Sequence, residues 1–270
     1  RQGLTIVKDS ENIDRFRGRV IFPIKSMSGR ILGFGGRILG SSKNLAKYIN
    51  SPESLIYKKS KVLYGIYESK QSIVKNDNCF LVEGYTDVIK MHQCGISNVV
   101  ASSGTALTES QIRLINRLTK NITVVFDGDA AGSRAALRGI DLILGQGMNV
   151  KICNLPVNDD PDSFVSERSL KEVESYLFEN SKDFIVYKAS LLLTDTQNDP
   201  VKKAGVIRDM VESISKISDQ IKRELYIKEC SSMMNISEQV LYSTLAQIVK
   251  KDFNNLKKIP RKEYEPISII

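Results

Sequence analysis

The middle third of the chain alternates short apolar segments with stretches of helical periodicity. The predicted strands, rich in Val, Ile, Leu and Phe, are residues 79–83, 98–101, 122–126 and 150–155. The predicted helices between them are residues 86–94, 108–120 and 130–144. Strands that alternate with helices in this way predict an α/β fold with a parallel sheet.

Carboxylates stand at the ends of three of these strands, namely Glu83, Asp127, Asp129, Asp160 and Asp162. Each acid alone fits a turn, because D-G-D and D-P-D are good turn compositions. However, ligand residues of parallel sheets gather beyond the carboxyl ends of the strands, and turn propensity does not explain three acidic ends at one edge. Clustered carboxylates disfavour each other's ionisation unless a cation compensates. The pattern therefore predicts a shared divalent metal site and phosphate chemistry.

Asp87 follows Glu83 by one helical turn. It is either an outer partner of the metal ligands or an acid placed in the first turn of a helix by the helix dipole. The residue pattern leaves both interpretations open.

Charge is distributed unevenly along the chain. Residues 1–75 carry 15 Lys+Arg and 5 Asp+Glu, residues 76–167 carry 7 and 11, and residues 168–270 carry 17 and 15. The net charges are thus +10, −4 and +2. A basic segment before an acidic one suits a surface that gathers a polyanion beside a pocket for cations, although two solvated faces of opposite sign would give the same counts.

Two motifs in the basic segment suit phosphate binding. RFRGRVIFPI places Arg15, Arg17 and Arg19 at strand spacing, which predicts that all three project from one face of an extended segment. GFGGR sets glycines before Arg37, which allows a backbone to approach a phosphate closely; a tight hairpin with exposed basic residues is the alternative.

A third motif, KYINSPESLIYKK, surrounds a polar turn with basic and aromatic residues. Lys47, Lys58 and Lys59 lie near Tyr48 and Tyr57. The lysines could contact backbone phosphates while the tyrosines either stack on bases or belong to the core.

Composition narrows the class of protein. The chain has 41% hydrophobic and 26% charged residues and no apolar run of 18, so it is expected to be globular, without a membrane partner, and cytoplasmic. The four cysteines are scattered without C-x-x-C spacing, which disfavours zinc and a disulfide framework. The single histidine, His92, is expected to be an ordinary helix residue.

From residue 166 onward the pattern is helical. Val206, Met210, Ile214 and Ile217 recur at helical spacing. The predicted domains are a basic segment at 1–75, the acidic sheet at 76–165 and a helical domain at 166–270.

With these motifs in order, the sequence resembles the catalytic core of bacterial replicative primases of the DnaG type. LVEGYTD and FDGDAAG match the signature of the TOPRIM module, which primases share with topoisomerases. The blocks that narrow the resemblance to primases are DRFRGRVIFPI, GFGGR, KYINSPES, YKKSKVLYG, SSGTALT and DDPDSF. The resemblance covers about residues 14–165 and continues more weakly through the helical end.

This resemblance implies the synthesis of short RNA primers from nucleoside triphosphates on single-stranded DNA, with an RNA–DNA hybrid as product. It implies Mg²⁺ or Mn²⁺, two or more ions, bound by Glu83, Asp127, Asp129, Asp160 and Asp162, and no zinc in this chain. Glu83, Asp127 and Asp129 would be the catalytic residues, with Glu83 a metal ligand or the group that assists deprotonation of the attacking hydroxyl. The residues that match the family's basic ridge for triphosphates and template are Arg17, Arg19, Arg37, Lys47 and Lys59.

The chain also departs from the family's pattern. Compared with that pattern, the N-terminal zinc-binding domain is expected to be absent from this chain and the basic α+β subdomain to be incomplete. The domain through which the full-length protein binds the replicative helicase of the primosome is expected to be absent.

Three other functions remain as alternatives. VVFDGDAAG also resembles the first motif of haloacid-dehalogenase-like phosphatases, in which Asp127 would be the nucleophile and Asp129 the general acid, but that class does not explain Glu83 or the basic segment. A topoisomerase or nuclease-related TOPRIM protein is nearer, although a topoisomerase needs a nucleophilic tyrosine in a separate domain. The last alternative is a fragment without activity that binds nucleic acid or docks a partner.

Overall fold

A computed structural model describes residues 3–8, 11–40, 45–104, 106–128, 130–194 and 199–257. The chain divides into two compact units, residues 1–187 and residues 188–270. None of the described helices is long and apolar enough to cross a membrane.

The first unit begins with two small antiparallel sheets. Strands β1 and β2 form a hairpin, and the three-stranded sheet has the order β3-β4-β5. Their bounds are β1 Thr5–Lys8, β2 Glu11–Asp14, β3 Arg19–Lys25, β4 Ile31–Ile38 and β5 Tyr48–Asn50.

One prediction and one alternative interpretation for this basic segment are wrong. Arg15, Arg17 and Arg19 do not share one face of a strand, because residues 15–18 form a turn that Gly18 closes at φ +69° and only Arg19 begins β3. The GFGGR glycines lie inside β4 rather than at a hairpin tip. The tip instead lies between β3 and β4, where the amide of Gly29 donates to the carbonyl oxygen of Ser26 at 2.9 Å.

The second part of this unit is a five-stranded sheet of order β10-β9-β8-β6-β7, parallel except for β10. Its strands are β6 Cys79–Val82, β7 Val99–Ala101, β8 Asn121–Phe126, β9 Asn149–Asn154 and β10 Ser181–Asp183. The helices are α1 Ile66–Asn76, α2 Tyr85–Cys94, α3 Glu109–Asn116, α4 Ala130–Gly145, α5 Pro161–Ser166 and α6 Leu170–Asn180. The predicted α/β class with a parallel sheet is thus confirmed; the predicted division at 165/166 stays a prediction.

Local signals set several of these boundaries. The hydroxyl of Thr108 accepts a hydrogen bond from the amide of Gln111 at 3.2 Å, and the Gln111 side chain accepts from the amide of Thr108 at 3.0 Å. This is the capping box that the sequence predicts for α3. Gly95 ends α2 at φ +111°, a conformation that glycine adopts without a Cβ penalty. His92 lies in α2 beside Ser69, with Nε2 at 3.0 Å from Oγ.

Helices α2, α5 and α6 cover one face of the mixed sheet. Val82, Val125 and Cys153 from three neighbouring strands are buried there with Phe164 of α5 and Val173 of α6. The three strands that end on acids are therefore held side by side by one continuous apolar core.

Helix α7, Phe184–Thr194, crosses the division between the two units, and the second unit is helical as predicted. Its further helices are α8 Pro200–Ser215, α9 Gln220–Met234 and α10 Glu238–Lys257. Asp199 and Asp219 cap α8 and α9 through their carboxylates. Met210, Ile214 and Leu241 are completely buried, as the helical spacing in this region indicates.

Candidate active site

Acidic residues meet at the carboxyl edge of the mixed sheet. Glu83 follows β6 and is exposed, Asp127 directly follows β8, and Asp160 and Asp162 follow β9 at the start of α5. Since β9, β8 and β6 are neighbours, their ends bring these side chains to one edge. Asp129 lies outside the described residues.

Gly128 lets two of these acidic loops touch. Its amide donates to the carbonyl oxygen of Asp159 at 3.0 Å, and the amide of Leu155 donates to the carbonyl oxygen of Phe126 at 3.0 Å. A Cβ on Gly128 would lie 2.0 Å from the carbonyl oxygen of Pro156 and 2.8 Å from Cα of Val157. Only a residue without a side chain therefore fits between Asp127 and the loop that carries Asp160.

The carboxylates after β9 are partly engaged with protein groups. Asp160 caps α5, since its Oδ1 accepts from the amide of Ser163 at 2.7 Å. Asp162 is 3.8 Å from Nζ of Lys90, and both side chains are about a third exposed or more, so this ion pair contributes little stability. Both carboxylates thus keep oxygens available for a cation.

Asp87 also belongs to the acidic group, although the sequence patterns did not decide between its two possible roles. It is 8% exposed, and its Oδ2 accepts from the amide of Gly84 at 2.8 Å. Burial raises the pKa of Asp87 to about 6, the Gly84 amide opposes this rise, and the negative charges of Asp160, Asp162 and Glu83 add to it. Asp87 therefore senses the charge of two different strand ends.

The donor set suits a hard divalent cation. Such ions bind carboxylate oxygens, and the buried Asp87 carboxylate lies in a field of like charges that a cation would balance. Within the residues that the structure describes, no three acidic, histidine or cysteine side chains already converge closely enough to hold an ion. The metal site of Glu83, Asp127, Asp129, Asp160 and Asp162 consequently stays a prediction.

Replacing Asp87 by asparagine should stabilise the protein at pH 8 without divalent ions. Because the folded-state pKa is raised, ionising Asp87 makes folding less favourable as pH rises from about 4 to about 7, by up to about 3 kcal/mol. The difference in free energy of unfolding between variant and wild type should therefore grow over that range. Urea unfolding in EDTA, with the exposed Glu179→Gln as control, measures it.

Added Mg²⁺ should shrink that difference, because a bound cation offsets the repulsion among the carboxylates. A difference that stays flat from pH 4 to pH 8 would contradict the raised pKa of Asp87, and a difference that Mg²⁺ leaves unchanged would contradict its assignment to the acidic group.

The predicted basic residues fall into three places. Arg37 lies over the ring of Tyr48, with Cζ 5.7 Å from the ring centroid, on the face of the three-stranded sheet that packs against Tyr85. Arg19 lies on the opposite face, where its Nη1 donates to the carbonyl oxygens of Gly36 and Lys47, both at 3.3 Å.

Arg17 and Lys47 flank that end of the sheet as exposed side chains. Arg17 precedes Gly18, whose carbonyl oxygen accepts from the amide of Leu39 at 3.0 Å. The exposed cations at this end are therefore available to a polyanion.

Lys59 lies apart from Arg17, Arg19, Arg37 and Lys47, next to the acidic edge. Its Nζ donates to the carbonyl oxygen of Gly104 at 3.2 Å. In the same loop, the amide of Ser103 donates to the carbonyl oxygen of Glu83 at 2.9 Å. Two contacts thus connect the ammonium group of Lys59 to the residue that ends β6.

Tyr85 joins the basic sheet to the acidic one, a role that the sequence patterns did not indicate. Its ring stacks on Phe22 at a centroid distance of 5.0 Å and meets Tyr64 edge-on at 4.8 Å, and its hydroxyl donates to Oδ1 of Asn50 at 2.5 Å. A Cβ on Gly35 would lie 2.6 Å from this ring. Two features of the sequence could have indicated this role of Tyr85: its position two residues after the strand-end acid Glu83, and the glycines in β4 that leave room for its ring.

Family models match three parts of the chain. Residues 1–70 match the N-terminal domain of the DNA primase catalytic core, residues 80–165 match a Toprim-like domain, and residues 196–239 match the DnaB-helicase binding domain of primase. The last match contradicts the expectation that a helicase-binding region is absent from this chain. Sequence patterns had indicated only helices there, because no motif in that region carries recognisable chemistry.

Curated DNA primases are similar over most of the chain. The DNA primase of Clostridium acetobutylicum is 39% identical over 259 residues, which are 95% of this chain and 42% of that protein. The DNA primase of Staphylococcus aureus is 36% identical over 228 residues, 84% of this chain and 37% of that protein. The chain therefore spans about 40% of the length of these relatives.

Solved structures share the fold. A DNA primase domain from Pseudomonas aeruginosa superposes with a TM-score of 0.81 at 33% identity, over 90% of this chain and 77% of that one. A DnaG primase catalytic domain bound to single-stranded DNA gives 0.78 at 32% identity, over 88% and 75%.

Proposed function

This chain belongs to the DnaG family of bacterial DNA primases, and we propose that it forms the catalytic part of an enzyme that synthesises short RNA primers on single-stranded DNA. The observation that carries the proposal is the acidic edge of the mixed sheet, with Lys59 connected to Glu83 through the loop at Gly104. Carboxylates for cations beside an ammonium group for phosphates suit nucleotidyl transfer from nucleoside triphosphates. Family membership favours this function over the topoisomerase and phosphatase alternatives.

The acidic residues would hold two divalent ions, Mg²⁺ or Mn²⁺. These ions would balance charge on the α-phosphate and favour ionisation of the attacking 3'-hydroxyl. The proposed ligands are Glu83, Asp127, Asp129, Asp160 and Asp162. Glu83 is exposed at its strand end, so its carboxylate would also be accessible to accept the proton of the hydroxyl. The buried carboxylate of Asp87 would add negative charge next to these ligands and so favour cation binding.

The basic residues would hold the phosphates. Lys59 is next to the acidic edge and suits the triphosphate, while Arg37 on Tyr48, with Arg17 and Lys47 nearby, suits the template backbone and the RNA–DNA hybrid. Arg19 uses Nη1 to fix the start of β5 and has further guanidinium N–H groups for a phosphate.

A primer synthesis assay tests the proposal. The chain is incubated with single-stranded DNA, labelled ribonucleotides and Mg²⁺ or Mn²⁺, and the expected product is an alkali-sensitive RNA that requires both template and metal. No template-dependent incorporation with either ion would contradict the proposal. A phosphorylated Asp127 would instead indicate the phosphatase chemistry.

Residues 196–239 are proposed to dock a replicative helicase of the DnaB type, on the evidence of their family match. Within this region α9 exposes Ile221 and Leu225, 73% and 63% accessible and one helical turn apart. Ile221→Ser with Leu225→Ser should weaken helicase binding by about tenfold, since two apolar contacts would be lost. Calorimetric titration measures this, and unchanged affinity would exclude that face of α9.

A further inference from the structure

Residues 54–57 form a tight turn whose geometry is fixed at its base. The amide of Ser54 donates to the carbonyl oxygen of Tyr57 at 2.8 Å, and the amide of Tyr57 donates to Oγ of Ser54 at 3.1 Å. Tyr57 is 1% exposed and packs in the core with Phe22, against Gly33 of β4. The turn is therefore a rigid projection from the core rather than a loose loop.

The tip of this turn is apolar and exposed. Leu55 has a relative accessibility of 102% and Ile56 of 52%. A single exposed apolar side chain is ordinary on a protein surface, and the exposure alone identifies no partner. Two adjacent ones on a rigid turn are, however, held ready for contact without further loss of backbone entropy on binding.

The charges around the tip indicate what that contact is. Lys58 and Lys61 are exposed, and neither has a carboxylate within ion-pair distance among the described side chains. The nearby acid, Glu53, is engaged by the amide of Lys59, which donates to its Oε1 at 2.8 Å. An apolar tip followed closely in the chain by exposed cations complements a partner that presents apolar faces and phosphates together, which is the chemistry of unpaired nucleic acid.

The position of the tip relative to the acidic edge supports the same partner. Lys59, four residues after Leu55, donates to the carbonyl oxygen of Gly104, and the neighbouring Ser103 amide donates to the carbonyl oxygen of Glu83. A chain of four residues spans at most about 14 Å, so the tip lies within about 14 Å of the backbone of Lys59, whose ammonium group contacts the loop beside the acidic edge.

We propose that Leu55 and Ile56 pack against unpaired bases of the single-stranded template beside the acidic edge, while Lys58 and Lys61 contact its phosphates. This inference rests on the proposed function for the identity of the polymer. Small aliphatic side chains wedge between bases in other nucleic-acid complexes, where they unstack neighbouring bases. The tip would thus hold a template base out of its stack, positioned for pairing with an incoming nucleotide.

The test uses single-stranded DNA with 2-aminopurine placed at successive positions, titrated with the chain in EDTA. Wild type should increase fluorescence at one or two positions, because a wedged side chain unstacks the probe. Leu55→Ser with Ile56→Ser should abolish that increase and weaken binding by about three- to tenfold at every salt concentration. The slope of log affinity against log salt should not change, since no phosphate contact is removed.

Two variants serve as controls. Lys58→Ala with Lys61→Ala should make the slope of log affinity against log salt shallower by about 1.4, because each phosphate contact with a single strand contributes about 0.7 to the slope and two contacts are removed. Phe178→Ser removes a side chain that is 85% exposed but lies in α6, by the opposite end of the strands, and should change neither fluorescence nor affinity.

Each outcome discriminates between the proposals. Asp127→Asn should keep the fluorescence signal, because the titration is done without metal. The template contact can therefore be tested even if the chain does not synthesise primers. If the serine variant binds and unstacks DNA like wild type, the tip proposal alone is overturned. If wild type binds no single-stranded DNA, both proposals fail.

Discussion

Asp127→Asn should reduce primer synthesis by about a thousandfold or more, with little change in stability. Asp127 ends the buried strand β8 at the shared edge, and asparagine keeps its shape while removing the charge that would hold a cation. Losing a ligand that balances charge in the transition state costs several kcal/mol of activation free energy, and each 1.4 kcal/mol is about tenfold in rate. The initial rate of ribonucleotide incorporation under saturating Mg²⁺ measures the effect.

The matched control for this substitution is Asp209→Asn on the exposed surface of α8. It removes the same charge from the other unit and should leave the rate within about twofold, since an isolated surface charge contributes little. Urea unfolding of both variants checks that the fold is intact. An Asp127→Asn protein that synthesises primers at a tenth of the wild-type rate would place the metal-binding carboxylates elsewhere.

Gly128→Ala should lower both stability and activity. The added Cβ would lie 2.0 Å from the carbonyl oxygen of Pro156 and 2.8 Å from Cα of Val157, and both contacts are backbone atoms that cannot rotate away. The loops after β8 and β9 must then separate, and the hydrogen bond from the Gly128 amide to Asp159 is strained. Overpacking of this kind costs about 1 to 3 kcal/mol of folding free energy.

The loss of activity should exceed the loss of stability. A displacement of about 1 Å between the groups that position a reaction can cost about a hundredfold in rate. Primer synthesis well below the unfolding temperature should therefore fall by about a hundredfold even where Gly128→Ala is fully folded.

Gly205→Ala is the matched control, because this glycine-to-alanine change should stabilise the protein where Gly128→Ala destabilises it. Gly205 lies inside α8, and an added Cβ would meet no atom within 4 Å, so alanine should raise the free energy of unfolding by about 0.5 to 1 kcal/mol and leave activity unchanged. If Gly128→Ala is as stable and as active as wild type, the two acidic loops do not need their close contact.

Local patterns in the sequence were sufficient for the alternation of strands and helices in residues 79–155 and for the acids at the strand ends, but not for β10, which lies in a stretch predicted to be helical. The period of apolar residues fixes helix or strand over a few residues, and the capping box at Thr108 and the glycine at Gly95 act on their own neighbours. The carboxyl ends of parallel strands necessarily meet at one edge, so Glu83, Asp127 and Asp160 could be grouped from the sequence.

The tertiary structure decided which side chains with distant sequence positions face each other. Arg17 and Arg19 have the spacing of residues on one face of a strand, but Gly18 closes a turn between them, so they do not share a strand face. The pleat of the antiparallel sheet places Arg19 and Arg37 on opposite faces. Asp87 belongs to the acidic group, and Tyr85 joins two sheets, only because loops bring separate segments into contact. A residue's own neighbours in sequence determine its secondary structure, whereas its charge environment and packing are set by segments whose positions depend on the whole fold.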